Sequence, residues 1–113
     1  MSLMKYWETD QFTTYADIEK SKRLDDIVLL WVVNDYHFER INSAGQEFNS
    51  DRILFEIDCI KMKRRVLELF LYRLSMGNGQ VVYSDTKVND PGGDVPEPGK
   101  VGYKTWEIAC TIR

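Results

Sequence analysis

Strand-length segments separated by turn residues dominate this sequence and leave few folds open to it. Ile27–Tyr36 (IVLLWVVNDY) is rich in β-branched and aromatic residues and reads as a central strand. Arg52–Cys59 (RILFEIDC) alternates, with Ile53, Phe55, Ile57 and Cys59 on one face and Leu54, Glu56 and Asp58 on the other. Asn42-Ser43-Ala44-Gly45 between them is a turn signal. Arg65–Tyr72 (RVLELFLY) places Leu67, Leu69 and Leu71 on one side. A helix could also hold this run, but the flanking turns favour a strand. Gly77-Asn78-Gly79 signals a hairpin, and Gln80–Ser84 follows as the next strand. Tyr103–Ile112 (YKTWEIACTI) reads as a final strand with Trp106, Ile108, Cys110 and Ile112 on one face.

The remaining segments are less regular. Tyr6–Tyr15 is expected to supply one or two short strands, and Asp17–Arg23 a helical turn or polar link. Asp90–Gly102 holds all three prolines and four of the seven glycines, which predicts a long exposed loop. Sequential strands joined by short turns predict one mainly β domain over residues 1–113. Its form is a single antiparallel meander sheet with at most one or two short helices, a β-rich α+β fold being the variant.

Composition narrows the function classes. Fifteen basic against eighteen acidic residues give a net charge of −3, which is no footprint for nucleic acid. No apolar run reaches membrane-spanning length. Met1–Asp10 has no basic region followed by an apolar stretch, so it does not itself read as a signal peptide. Met1–Leu3 is read as a scar at the start of a processed chain, a native cytosolic start being the alternative.

The two cysteines, Cys59 and Cys110, each end an alternating apolar face. If those faces share a core, the sulfurs can meet, and a bridge over about fifty residues is worth about 4 kcal/mol in the chain-entropy model. Two free core thiols are the alternative. Catalysis or metal binding ranks last, because there is no C-x-x-C pair and His37 is the sole histidine. His37 itself reads as a strand-end surface residue. No paired carboxylates, phosphate loop or nucleophile elbow is present, so no enzyme, cofactor or metal is expected.

Two features suggest contacts with a partner. Lys61-Met62-Lys63-Arg64-Arg65 is a basic run, more often a solvated face or turn than a binding motif, and Lys61, Lys63, Arg64 and Arg65 are its candidate contacts. Among the tyrosines, Tyr36, Tyr72, Tyr83 and Tyr103 could face outward, with Tyr83 and Tyr103 the chosen candidates.

Several short pieces recur in an order that resembles the surface-adhesin protein E family of Gram-negative bacteria. They are Tyr15-Ala16-Asp17-Ile18, Val28–Tyr36, Asn49-Ser50 leading into Phe55–Cys59, Arg64-Arg65-Val66-Leu67, Gly79-Gln80-Val81-Val82 and the closing Cys110. The resemblance spans nearly the whole chain from Tyr15 onward, and W-x-x-x-x-Y and E-x-D-C are its most specific parts. It implies a small exported sheet domain, often lipid-anchored in its precursor, and a disulfide between Cys59 and Cys110. It implies less directly a binder of host matrix or serum proteins at the cell surface, or a periplasmic resident. The family often places a tryptophan before a proline turn ahead of the last segment; here that region is the longer Asp90–Gly102 loop and Trp106 instead stands four residues before Cys110, so no binding surface is carried over from that region. The expected function is therefore non-enzymatic binding of another macromolecule. A periplasmic carrier of small ligands, with an apolar pocket on a curved sheet, is the alternative. Any membrane link would run through a precursor's lipid anchor, and homodimerisation is left open.

Overall fold

The computed structural model describes residues 3–113. The expected leader scar at Met1 and Ser2 lies outside the described residues, whereas Leu3 opens the first strand. In chain order the elements are β1 (Leu3–Glu8), β2 (Phe12–Leu24), β3 (Ile27–Ile41), β4 (Glu47–Asp58), β5 (Lys63–Tyr72), β6 (Val81–Asp85), β7 (Gly93–Asp94) and α1 (Val101–Cys110). A single 3-10 turn, Ser75–Gly77, sits between β5 and β6. The sheet runs β1-β2-β3-β4-β5-β6, every neighbour antiparallel, and the two residues of β7 add to the outer side of β5. This is the mainly β meander the alternation predicts.

The face packed beneath α1 joins the Ile53, Phe55 and Ile57 set read from the sequence to alternate residues of β3. Val28 pairs with Ile57, Leu30 with Phe55 and Val32 with Ile53. With Ala16 from β2 and Ala109 from α1 they form the core, and Val28, Leu30, Ile57 and Ala109 are wholly buried. Each buried valine, leucine, isoleucine or phenylalanine contributes about 1.5–3 kcal/mol, so this patch drives the sheet to fold against the helix.

Four local expectations need correction. The last segment is a helix, not a strand. Its buried residues Gly102, Thr105 and Ala109 follow a spacing of three and four, while Trp106, Ile108, Cys110 and Ile112 still reach the core margin and so satisfied a period of two by coincidence. Asp17–Arg23 is neither helix nor link but lies within β2. The ladder to β3 slips between Asp17 and Lys22, and Ser21 fills the gap by donating from Oγ to the Asp17 carbonyl and accepting from the Trp31 N–H. In β5 a bulge at Leu67 breaks the alternation, so Val66 shares the face of Leu69 and Leu71. Within Asp90–Gly102, Gly93 and Asp94 pair with Arg64 and Lys63, and Gly102 is buried inside α1.

Three ties hold α1 down. Cys59 and Cys110 form a disulfide with Cα atoms 5.8 Å apart. The Tyr6 hydroxyl meets Thr105 Oγ1 at 2.8 Å. Because the Thr105 hydroxyl proton goes to the Val101 carbonyl, Tyr6 is the donor. At the far end Arg23 donates to the carbonyls of Cys110 and Ile112, placing a cation where the helix leaves its carbonyls unpaired.

Candidate functional site

Strand alternation disperses the basic run. Lys63 and Arg65 stand opposite Asp58 and Glu56, on the face away from α1. Lys63 forms an ion pair with Asp94, and Arg65 grips Glu56 through Nε at 2.8 Å. Arg64 stands opposite Ile57 and points to the helix side. Lys61 lies in the exposed β4–β5 turn, its N–H donating to Asp58 Oδ1. Tyr83 is 45% exposed on β6, toward the far end of β5, and Tyr103 packs on Trp106 in α1 at 5.4 Å between ring centres. The six candidates therefore do not converge on one patch.

One end of the molecule does gather contact features that the sequence left separate. The β4–β5 turn exposes Ile60 (70%) and Met62 (37%) beside Lys61. The proline-glycine loop lies against it, since Val95 N–H donates to the Met62 carbonyl at 2.9 Å and β7 pairs with Lys63 and Arg64. Asp90 anchors the loop's start by accepting from the N–H groups of Val66 and Gly92, which hold its carboxyl below the usual carboxylate range.

A second site is a cavity of about 260 Å³ between the sheet and the first turn of α1. Phe12, Thr14, Val32 and Phe55 line its sheet side, and Val101, Gly102 and Thr105 its helix side. Tyr6, Asn34, Tyr36, Arg40 and Arg64 supply its polar groups, with Gln11 at the rim. Behind it runs a chain of hydrogen bonds: Thr14 Oγ1 donates to Asn34 Oδ1 (2.8 Å), Asn34 Nδ2 to Asp51 Oδ1 (2.9 Å) and the Tyr36 hydroxyl to Asp51 Oδ2 (2.5 Å). Burial pushes the Asp51 carboxyl up, partly opposed by these donors. Burial beside Asp51 also pushes the Tyr36 phenol up, and burial raises that of Tyr6 to about 12. Of this network only Tyr36 was singled out from the sequence, as an outward-facing tyrosine; it instead lies half-buried on the cavity side, donating to Asp51. The available signal was that Asn34 and Tyr36 continue the face of Val28, Leu30 and Val32 with polar atoms.

His37 is exposed at the side of β3. Its Nδ1 meets the Asp10 carbonyl, which can only accept, so in that contact Nδ1 carries the proton. Its Nε2 lies 2.8 Å from Thr13 Oγ1, a nearly buried hydroxyl that also donates to Glu8 Oε2 at 3.2 Å. The cysteines are bonded to each other, so His37 has no thiol to activate. Among the described residues no three His, Cys, Asp or Glu side chains converge as metal ligands, and no helix is long and apolar enough to cross a membrane.

Comparison with known proteins agrees with the architecture. No curated protein matches the chain. The structure of protein E from Haemophilus influenzae is similar, with a TM-score of 0.71 over 96% of this chain and 93% of that one. The two sequences are 15% identical, so this likeness is one of fold. The family model for surface-adhesin protein E matches residues 1–111, nearly the full length. The chain belongs to the surface-adhesin protein E family.

Proposed function

We propose that residues 1–113 form one exported, non-enzymatic domain of a Gram-negative envelope that holds a protein partner at the cell surface, with host matrix or serum proteins as the partner class. Family membership supports the adhesin role. The observation that carries the choice of surface is the joining of the β4–β5 turn to the proline-glycine loop. It presents Ile60, Lys61 and Met62 on a rigid base formed by β7 and the disulfide. The exposed apolar pair Ile60 and Met62 supplies the apolar centre of a contact patch with Lys61 at its polar rim, and backbone pairing limits the entropy lost on binding. Lys63 sits at the margin of this end with Asp94 and Arg65 borders the same loop at Gly92, while Tyr83 and Tyr103 belong to other parts of the surface. A lipid anchor on the precursor would hold the domain at the outer membrane, and a chain without that anchor would reside in the periplasm.

The test is binding of the intact domain to immobilised matrix and serum proteins, compared with Ile60→Asp and with removal of Pro98 and Gly99. Loss of about tenfold or more in affinity in both variants is expected. Unchanged binding in both would remove this end of the molecule from the account, and no binding by the intact domain would remove the reading itself. The carrier reading has less support, because the cavity beneath α1 is open and bears two arginines rather than a closed apolar wall.

A further inference from the structure

The cavity beneath α1 has a charge that the rest of the chain does not. The chain carries a net charge of −3, yet the cavity is lined by two arginines and no acid. Arg40 and Arg64 make no ion pair or side-chain hydrogen bond among the described residues; their guanidinium carbons lie over the Tyr36 ring (5.0 Å) and the Phe55 ring (5.7 Å). Elsewhere Arg52, Arg65 and Arg73 each have a carboxylate partner. The acids near the cavity are committed: both oxygens of Asp51 accept from Asn34 and Tyr36, and both oxygens of Asp90 accept backbone N–H groups. Between the arginines, the rings of Phe12, Phe55 and Tyr36 give the cavity an apolar body.

We infer that this cavity is a binding site for a small organic carboxylate with an aromatic or short apolar body. Two unpaired guanidinium groups supply the charge-assisted donors that match a carboxylate, and the rings cover its hydrocarbon part. The volume of about 260 Å³ lies just under the range of drug-sized pockets, roughly 300–1,000 Å³, and suits a ligand the size of one aromatic acid. This site is separate from the surface formed by the β4–β5 turn.

The experiment is an amide-resolved NMR titration of the intact disulfide-bonded chain with phenylacetate, and in parallel with its neutral isostere phenylacetamide. Phenylacetate is expected to shift the amides of Thr14, Asn34 and Gly102 with a dissociation constant on the order of 1 mM. Phenylacetamide is expected to bind about tenfold more weakly or less. Arg64→Gln and Arg40→Gln, each checked for the parent's spectral dispersion, are expected to weaken phenylacetate by about tenfold. Either variant suffices where the other fails to fold. Absence of shifts at the cavity, equal binding of the amide, or undiminished binding in the folded variants would overturn the inference.

Discussion

Arg64 and Arg65 are adjacent in sequence and lie on opposite faces of the sheet, Arg65 locked to Glu56 and Arg64 free beside the Phe55 ring. The period of two in a strand therefore divides one basic motif into two environments. Arg65 belongs to a solvated ladder of surface ion pairs, of the kind that adds little stability. Arg64 faces the helix and comes near Tyr6, whose phenol it pulls down against the larger effect of burial. A linear basic motif becomes two surface ion pairs, one exposed turn lysine and one cavity cation.

Tyr6 joins the edge strand to α1 through a single donor bond. Tyr6→Phe keeps the ring and removes that bond, while Thr105 keeps the Val101 carbonyl as its own acceptor. The expected loss is about 1 kcal/mol in unfolding free energy, the net worth of a typical buried hydrogen bond. Urea denaturation of the two proteins measures it, and an unchanged midpoint would show that α1 does not depend on this tie.

Gly102→Ala sets two effects against each other. Helix propensity favours alanine by about 0.8–1.0 kcal/mol. A Cβ at this position would stand 2.7 Å and 2.8 Å from the Pro96 ring carbons, closer than side-chain carbons pack, and a proline ring cannot swing aside. Overpacking of that kind costs about 1–3 kcal/mol, so the clash wins and a net loss of roughly 1 kcal/mol is expected. A thermal midpoint above that of the parent would show that the proline-glycine loop yields freely.

Much of the fold was legible because its information is local. The alternation in Ile53–Ile57 identified one core face, the β-branched run from Ile27 marked the central strand it packs with, and turn residues marked the strand order. The helix escaped because Ala109 and Thr105 are weak apolar markers, while Trp106, Ile108 and Cys110 mimic a strand face. The slip at Asp17–Lys22 escaped because a serine hydroxyl stands in for backbone pairing, which no period records. The cavity was out of reach for another reason: it joins Tyr6, Asn34, Arg64 and Val101, which only the tertiary structure brings together. Conversely, pairing Cys59 with Cys110 was accessible, since each closes an element that packs on the same core.

Asp51 gives the fold a pH dependence of known sign. Its folded carboxyl is raised above the ordinary value near 3.9, chiefly by burial. Below that value it is protonated in both states and imposes no penalty. As pH rises from there through the folded value, the unfolded chain releases its proton first and gains relative to the native one. Glu8 and Asp90, whose carboxyls are depressed, act in the opposite direction, so the parent alone does not isolate the effect. Asp51→Asn removes the titration while its amide can still pair with Asn34 and Tyr36. The stability of this variant relative to the parent is expected to improve as pH rises from about 3.5 to about 7. Parallel denaturation midpoints for the two proteins across that range would contradict the assignment.

The disulfide fixes α1 more than it fixes the sheet. It closes 51 residues of chain, from the end of β4 to the end of the helix. The chain-entropy model assigns such a loop about 4 kcal/mol, a large part of the roughly 5–15 kcal/mol typical of a small domain. The strands β2 to β5 retain their ladders without it, whereas α1 would keep only the Tyr6 bond, the Arg23 cap and its packed face. Reduction, or Cys59→Ala with Cys110→Ala, is therefore expected to lower the unfolding free energy by about 4 kcal/mol. It is also expected to open the helix before the sheet. Hydrogen exchange reads the order: amides of Trp106 and Ala109 should lose protection well ahead of Val32 and Leu54. Equal loss at both sets would mean that helix and sheet unfold as one unit, and that the bridge acts on the whole chain rather than on the attachment of α1.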